Sequence, residues 1–186
     1  MILMEANKYD KNGKCLKSGK IAEMLFQKVA INNGCTLSDA IKEQDINEHW
    51  DKIIIKNNKR SRVDVKARKK INRSDASAQD EWIWIELHGV RKYDGGWIFN
   101  GKSEYIAFEM LKSFLIVPRL KIIDIINKHV KKEYVENPHE AKYKIYRRRE
   151  YDEMTLIHNS LLREVAAGEW LKNKEPIEQV EMDEIL

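Results

Sequence analysis

The sequence predicts an α/β protein with a mixed central sheet flanked by helices, and three observations predict it. Strand-like and helix-like segments follow one another in the order helix, hairpin, further strands, helix, late strands. Hydrophobic residues make up 42% of the 186, enough for a core and too many for a disordered chain. Between the apolar segments lie turn-forming stretches such as "KNNK" and "YDGG". The length suits one compact domain, read as residues 1–165, with 166–186 as an acidic C-terminal tail.

Residues 1–17 read as an irregular lead-in. Ser18 offers an N-cap, and "GKIAEMLFQKVAINNG" continues as a helix that stops at Asn33-Gly34. Ile21, Met24, Leu25 and Val29 share its predicted apolar stripe, with Glu23 off that stripe near Phe26 and Ala30. Residues 45–56 read as extended, because Ile53-Ile54-Ile55 is strongly β-branched. "KNNK" then turns the chain, and "RSRVDVKAR" alternates behind it, so a hairpin is expected. Period two puts Ser61, Val63, Val65 and Ala67 on one face and Arg60, Arg62, Asp64, Lys66 and Arg68 on the other.

After the polar loop "INRSDASAQDE" comes the strand "WIWIEL", then a turn leading to "WIF" and "YIAFEM", and the strand "FLIVP". Pro118 opens a helix, "RLKIIDIINKHV", with Leu120, Ile123 and Ile126 on a common face. "KYKIYRR" and "MTLI" are late short strands, followed by a helix from Ser160. The tail after residue 165 is expected outside the core, with a helix as one state open to it.

Charge is uneven although the net value is only +4. Residues 52–73 carry ten Lys and Arg against the single acid Asp64, whereas from Glu164 onward seven acids face Lys172 and Lys174. A basic middle suits a polyanion, whose phosphates reward clustered cations; a solvated charged face is the plainer alternative. Cys15 and Cys35 lack C-x-x-C spacing and a zinc-finger histidine, which points to free thiols in a reducing cytoplasm. The start "MILMEANKYDKNGK" is not a signal peptide, and no apolar run reaches membrane-span length, so no membrane association is expected.

The chemistry rests on the hairpin. Cleaving a phosphodiester calls for a hard cation held by one or two carboxylates, with a nearby lysine to steady water and phosphate. Asp64 and Lys66 leave the same strand face with Cα atoms roughly 6.6 Å apart. Asp51 lies at the start of the pairing strand and folds back toward 64–67, provided the register does not slip by one. Glu23 on the first helix, Asp51 at a strand start and Asp64-Val65-Lys66 on the next strand resemble the PD-(D/E)XK nuclease superfamily, the restriction-endonuclease-like fold. Over Gly19 to about Glu109, the segments "EHWD", "VDVKARKK", "EWIWIEL" and "GWIFNGKSEYIAFE" are similar to phage-type endonucleases and Holliday-junction resolvases.

That resemblance implies a Mg²⁺-dependent DNA endonuclease, with Mn²⁺ able to substitute, acting on duplex or branched DNA in phage-type processing or recombination within the host cytoplasm. Asp51 and Asp64 would ligate the metal with the Val65 carbonyl, Lys66 would align the water, and Glu23 would be an additional acid of the site. Trp50 stands where the family's proline usually precedes the first acid. Another acid-x-Lys triplet, Glu140-Ala141-Lys142, lacks an alternating apolar strand around it. Arg68, Lys69, Lys70 and Arg73 follow the site directly and are expected to contact phosphates, and Arg147-Arg148-Arg149 forms a second basic cluster. Trp82 and Trp84, with Glu86, share a strand face; core packing against a helix is expected, with stacking on bases the alternative, and Glu86 is open as a further acid of the site. His49 is expected at a strand edge.

Cutting two strands is most simply done by two symmetric sites, hence a homodimer. A rival from a different class is a non-catalytic nucleic-acid-binding module using the basic hairpin for phosphates; an RNA-directed nuclease of the same fold is a third reading. No glycine-rich phosphate loop or G-x-S-x-G elbow supports nucleotide hydrolysis or serine chemistry.

Overall fold

A computed structural model of the chain describes residues 14–90 and 92–173. Among these residues it is a mixed α/β arrangement of five α-helices and two mixed sheets. The larger sheet orders its strands β1 (Thr36–Asp39), β2 (Lys52–Lys56), β3 (Lys59–Lys66), β5 (Tyr105–Glu109), β6 (Ser113–Pro118) and β10 (Gly168–Leu171). Neighbours run antiparallel except β3 and β5, which are parallel. The smaller sheet orders β4 (Trp82–His88), β9 (Glu153–His158), β8 (Ile145–Arg147) and β7 (Tyr134–Val135). None of the helices among the described residues is long and apolar enough to cross a membrane.

The hairpin β2–β3 closes through Asn57 and Asn58, both in the left-handed region (φ 51° and 59°), with Lys56 paired to Lys59. Two consecutive positive-φ residues make the turn whose twist matches that of the strands, and asparagine tolerates that backbone better than other side-chain-bearing residues. The turn fixes the register, pairing Ile54 with Ser61 and Lys52 with Val63. One further step sets Asp51 opposite Asp64, the juxtaposition on which the sequence argument depended.

One sheet face is covered by α1 (Lys14–Asn32), whose Ala22, Phe26, Val29 and Ala30 pack on Val63, Val65, Ala107 and Phe114. The expected stripe was rotated: Ile21 and Met24 are 50% and 64% exposed, and Phe26 is fully buried. Phe26 wins that face because Phe114 meets it edge-on at 5.3 Å and Trp170 stacks on it at 5.9 Å. The helix also begins four residues before the expected Ser18 cap, and it ends at Gly34, φ 76°.

The second face, bearing Ile106, Phe108, Leu115 and Val117, packs on Ile83, Ile85 and Ile157 of the smaller sheet and on Ile122, Ile125 and Ile126 of α4 (Arg119–His129). Leu120, expected in the α4 stripe, is instead 66% exposed, so that helix too is rotated. Trp82 and Trp84 do not face a helix core. Ile83 and Ile85 occupy the buried side of β4, and the indoles lie half-buried on its reverse. There Trp82 meets Tyr143 and His158, and Trp84 meets Tyr146.

Three segments depart from their expected state. Residues 45–48, expected to be extended, belong instead to α2 (Lys42–Glu48), with the Gln44 side chain accepting the Ile41 N–H at 3.2 Å. "WIF" belongs to a short helix, α3 (Gly96–Asn100), instead of a strand. Beyond α5 (Asn159–Glu164), residues 168–171 of the expected tail are strand β10, hydrogen-bonded to β6 and carrying Trp170 onto Phe26. Both α3 and β10 are too short to show a period of their own, so tertiary pairing decides them. Residues 174–186 lie outside the described residues, as do residues 1–13 of the lead-in.

Candidate functional site

The site forms where β2 begins and β3 ends. Asp51 is fixed at each of its polar groups: its N–H donates to the Val63 carbonyl (2.9 Å), its carbonyl accepts from Ala40 (2.8 Å), and its Oδ2 accepts the Val65 N–H (2.6 Å). A carboxylate oxygen thus takes the place of a strand carbonyl in the ladder. That aims the remaining Oδ1 without relying on a flexible side chain. The Asp51 and Asp64 carboxyls are within hydrogen-bonding reach of each other.

Asp64 points into the rim of the second core, beside its β5 partner Ile106, and its side chain is only 4% exposed. Lys66 Nζ lies 2.7 Å from Asp64 Oδ2, an ion pair outside hydrogen-bond alignment. Burial is the main cause that pushes the Asp64 carboxyl up to about 8; Asp51 adds to it, and Lys66 opposes it. For the Lys66 ammonium, burial acts against the charge, but Asp64 and Asp51, with Glu86 on β4, outweigh it and raise its pKa. The lysine is also held by Trp97, whose ring centroid lies 4.8 Å from Nζ. Gly96 allows this approach: at φ 67°, a Cβ there would stand 2.8 Å from the Glu86 carbonyl oxygen.

More acids surround Asp51 than the sequence indicated. Asp45 on α2 has its carboxyl raised by burial first and by Asp51 second. Glu23 is raised in the same order of causes. Yet Glu23 belongs to α1, which covers the face opposite Asp64 and Lys66, and its other charged neighbours are Lys52, Asp45 and Asp39. Glu23 therefore borders Asp51 and does not join the Asp64 side. Among the described residues no group of three or more His, Cys, Asp or Glu side chains converges to hold a metal ion.

His49 caps α2 in the left-handed region, and its Nε2 lies 3.7 Å from Asp94. Asp45 and Trp97 are the neighbours that sequence reasoning did not bring to the site. For Asp45 a signal existed, since a glutamine three residues after Ile41 and acids in the first turn mark a helix start. For Trp97 there was none, because only the packing of α3 on β4 brings it over Lys66.

The basic segment is partly committed to internal contacts. Arg68 donates its backbone N–H to Glu109 (3.1 Å), and its guanidinium lies 3.4 Å from Asp80. Lys70 Nζ donates to the Asp75 carbonyl, while Lys69 and Arg73 are exposed. In the distant triplet, Arg147 pairs with Glu153 and Arg148 with Asp152, each at 2.6 Å. The cleft joining Lys66 and Arg68 to Trp82 and Trp84 measures only about 20 Å³, too small for a base to enter. Comparison with protein-family models, with curated proteins and with solved structures finds no match.

Proposed function

We propose that this protein is a metal-dependent DNA endonuclease of the PD-(D/E)XK type, on a restriction-endonuclease-like arrangement of its α/β elements. The observation that carries the reading is the buried Asp64 carboxyl, with one oxygen lacking an aligned hydrogen bond, set opposite Asp51 and beside Lys66. Burying Asp64 against a second acid is costly, and Lys66 offsets only part of that cost. The donor set fits a hard cation: two carboxylates suffice for Mg²⁺, which keeps several waters and takes the rest from substrate phosphate. Asp51 and Asp64, with the Val65 carbonyl, would hold Mg²⁺ or Mn²⁺, which when bound neutralises developing charge and acidifies a water.

The chain's own residues then have separable tasks. Asp51 orients, because its backbone and one carboxylate oxygen are tied to β3. Asp64, with its partly open neighbour Lys66, provides the end of the site facing away from α1 and would give up its proton to a bound cation. Lys66 keeps its proton and sets a positive charge where the water and a phosphate oxygen meet. In the hydrolysis a water oxygen bonds to phosphorus as the P–O3′ bond breaks, leaving a 5′-phosphate and a 3′-hydroxyl. Lys69 and Arg73 are exposed beside the site and would contact the DNA backbone, whereas the Arg68 guanidinium is turned toward Asp80. Cutting both strands is most simply done by a symmetric homodimer.

The test is a panel of linear, single-stranded, flapped and four-way DNA substrates with Mg²⁺ or Mn²⁺, run on wild type, Asp64→Asn and Lys66→Ala. Cleavage by wild type and at least a hundredfold loss in both variants, with circular dichroism unchanged, is the expected result. If wild type binds these substrates and cuts none of them, the non-catalytic binding module replaces the nuclease.

A further inference from the structure

The face of the larger sheet that α1 covers is not covered completely. Next to α1 lies an open cavity of about 350 Å³, floored by Ile54, Ile116 and Trp170 and rimmed by Lys56, Lys59 and Tyr105. Its lining crosses β2, β3, β5, β6 and β10, four inter-strand steps, and so forms a trough about 19 Å long. Trp170 forms part of the floor, held from one direction by Phe26 and approached by Lys56 Nζ at 5.6 Å from its ring centroid. The trough is thus apolar below and cationic at the hairpin end, far along β3 from Asp64 and on the opposite face.

We propose that this trough is the docking site of the chain's own C-terminal segment, residues 175–186. That segment intersperses Ile177, Val180, Met182, Ile185 and Leu186 with Glu175, Glu178, Glu181, Asp183 and Glu184, and contains no Lys or Arg. Aliphatic side chains need an apolar floor and the acids need cations; the trough offers both within one cavity. The basic segment at 68–73 offers only the second, since the neighbouring cleft holds about 20 Å³ and Arg68 and Lys70 already have partners. Reach is not limiting. β10 borders the trough at Gly168 and ends at Leu171, and twelve residues span up to about 40 Å when extended. The assignment is independent of the nuclease reading, because it uses the other face of the sheet.

Carbodiimide cross-linking of the full-length protein, which joins amines to carboxylates in contact, tests it directly. The expected products join Lys56 or Lys59 to Glu178, Glu181, Asp183 or Glu184 within one chain. Links only to Lys69 or Lys70, or no links from the segment, overturn the proposal. So do links found only between copies in a mixture of isotopically light and heavy protein, which would mark the trough as a contact with a second copy. In parallel, Val180→Asp with Ile185→Asp should raise oxidative labelling of Trp170 and Tyr105 severalfold in the otherwise unchanged chain. Labelling equal to wild type argues equally against it.

Discussion

Replacing Asp64 with Asn tests whether the buried acid is held at a cost in the metal-free protein. Asp64 is 3% exposed, and its carboxyl is pushed up to about 8, chiefly by burial. In the unfolded chain the same group ionises near the ordinary aspartate value of 3.8. Between those two values the folded state holds a proton that the unfolded state has released. Stability from this group is therefore fully present below about pH 4 and falls as pH rises toward 8.

At about 1.4 kcal/mol per pH unit, the accumulated cost is about 2 kcal/mol at pH 5 and about 4 kcal/mol at pH 7. Asparagine cannot ionise, so its curve lacks this slope. Part of the gain is offset because Lys66 loses an oxygen partner 2.7 Å away. The assay is urea denaturation of both proteins, without divalent metal, at intervals from pH 4 to 8. The gap in stability should widen with pH in favour of Asp64→Asn and level off near pH 8. Parallel curves across that range would show that burial does not raise the Asp64 carboxyl. Millimolar Mg²⁺ should then stabilise wild type and leave Asp64→Asn unmoved, because ligands stabilise only what they bind.

Other consequences follow from the packing. Phe26→Ala should cost about 3–5 kcal/mol in urea unfolding while Met24→Ala stays within about 0.5, since only the first fills the core; the reverse order would restore the original helix stripe. Gly96→Val combines a left-handed backbone with contact on the Glu86 carbonyl, and should destabilise by about 2 kcal/mol or more. An unchanged urea midpoint would mean α3 does not press on β4. Neutralising Lys69 and Arg73 together should lower the salt slope of DNA binding by about 2, read from titrations at several salt concentrations; an unaltered slope removes both from the interface.

Strand periodicity served well where one face is apolar and the other polar. Val63 and Val65 are buried under α1 while Arg62 and Lys66 lie on the other face, as alternation requires. The helices were less legible because α1 and α4 each contain more apolar residues than one stripe can bury. Ile21, Met24 and Phe26 compete for the same role, and the aromatic partners Phe114 and Trp170 decide it from distant parts of the chain. Glu23 illustrates the same limit at the site: its position on α1 was correct, but the helix covers the face away from Asp64.

By itself the sequence determined the turn at Asn57-Asn58, the two faces of β3, and the spacing that puts Asp64 and Lys66 together. These are local matters, settled by backbone sterics and a side-chain period of two. Only the tertiary structure decided that Asp51 would give an oxygen to the Val65 amide, that α3 would carry Trp97 over Lys66, and that residues 168–171 would close the sheet. Each of those joins segments far apart in the chain or too short to hold a conformation alone. Their free energy exists only once the rest of the core has formed around them.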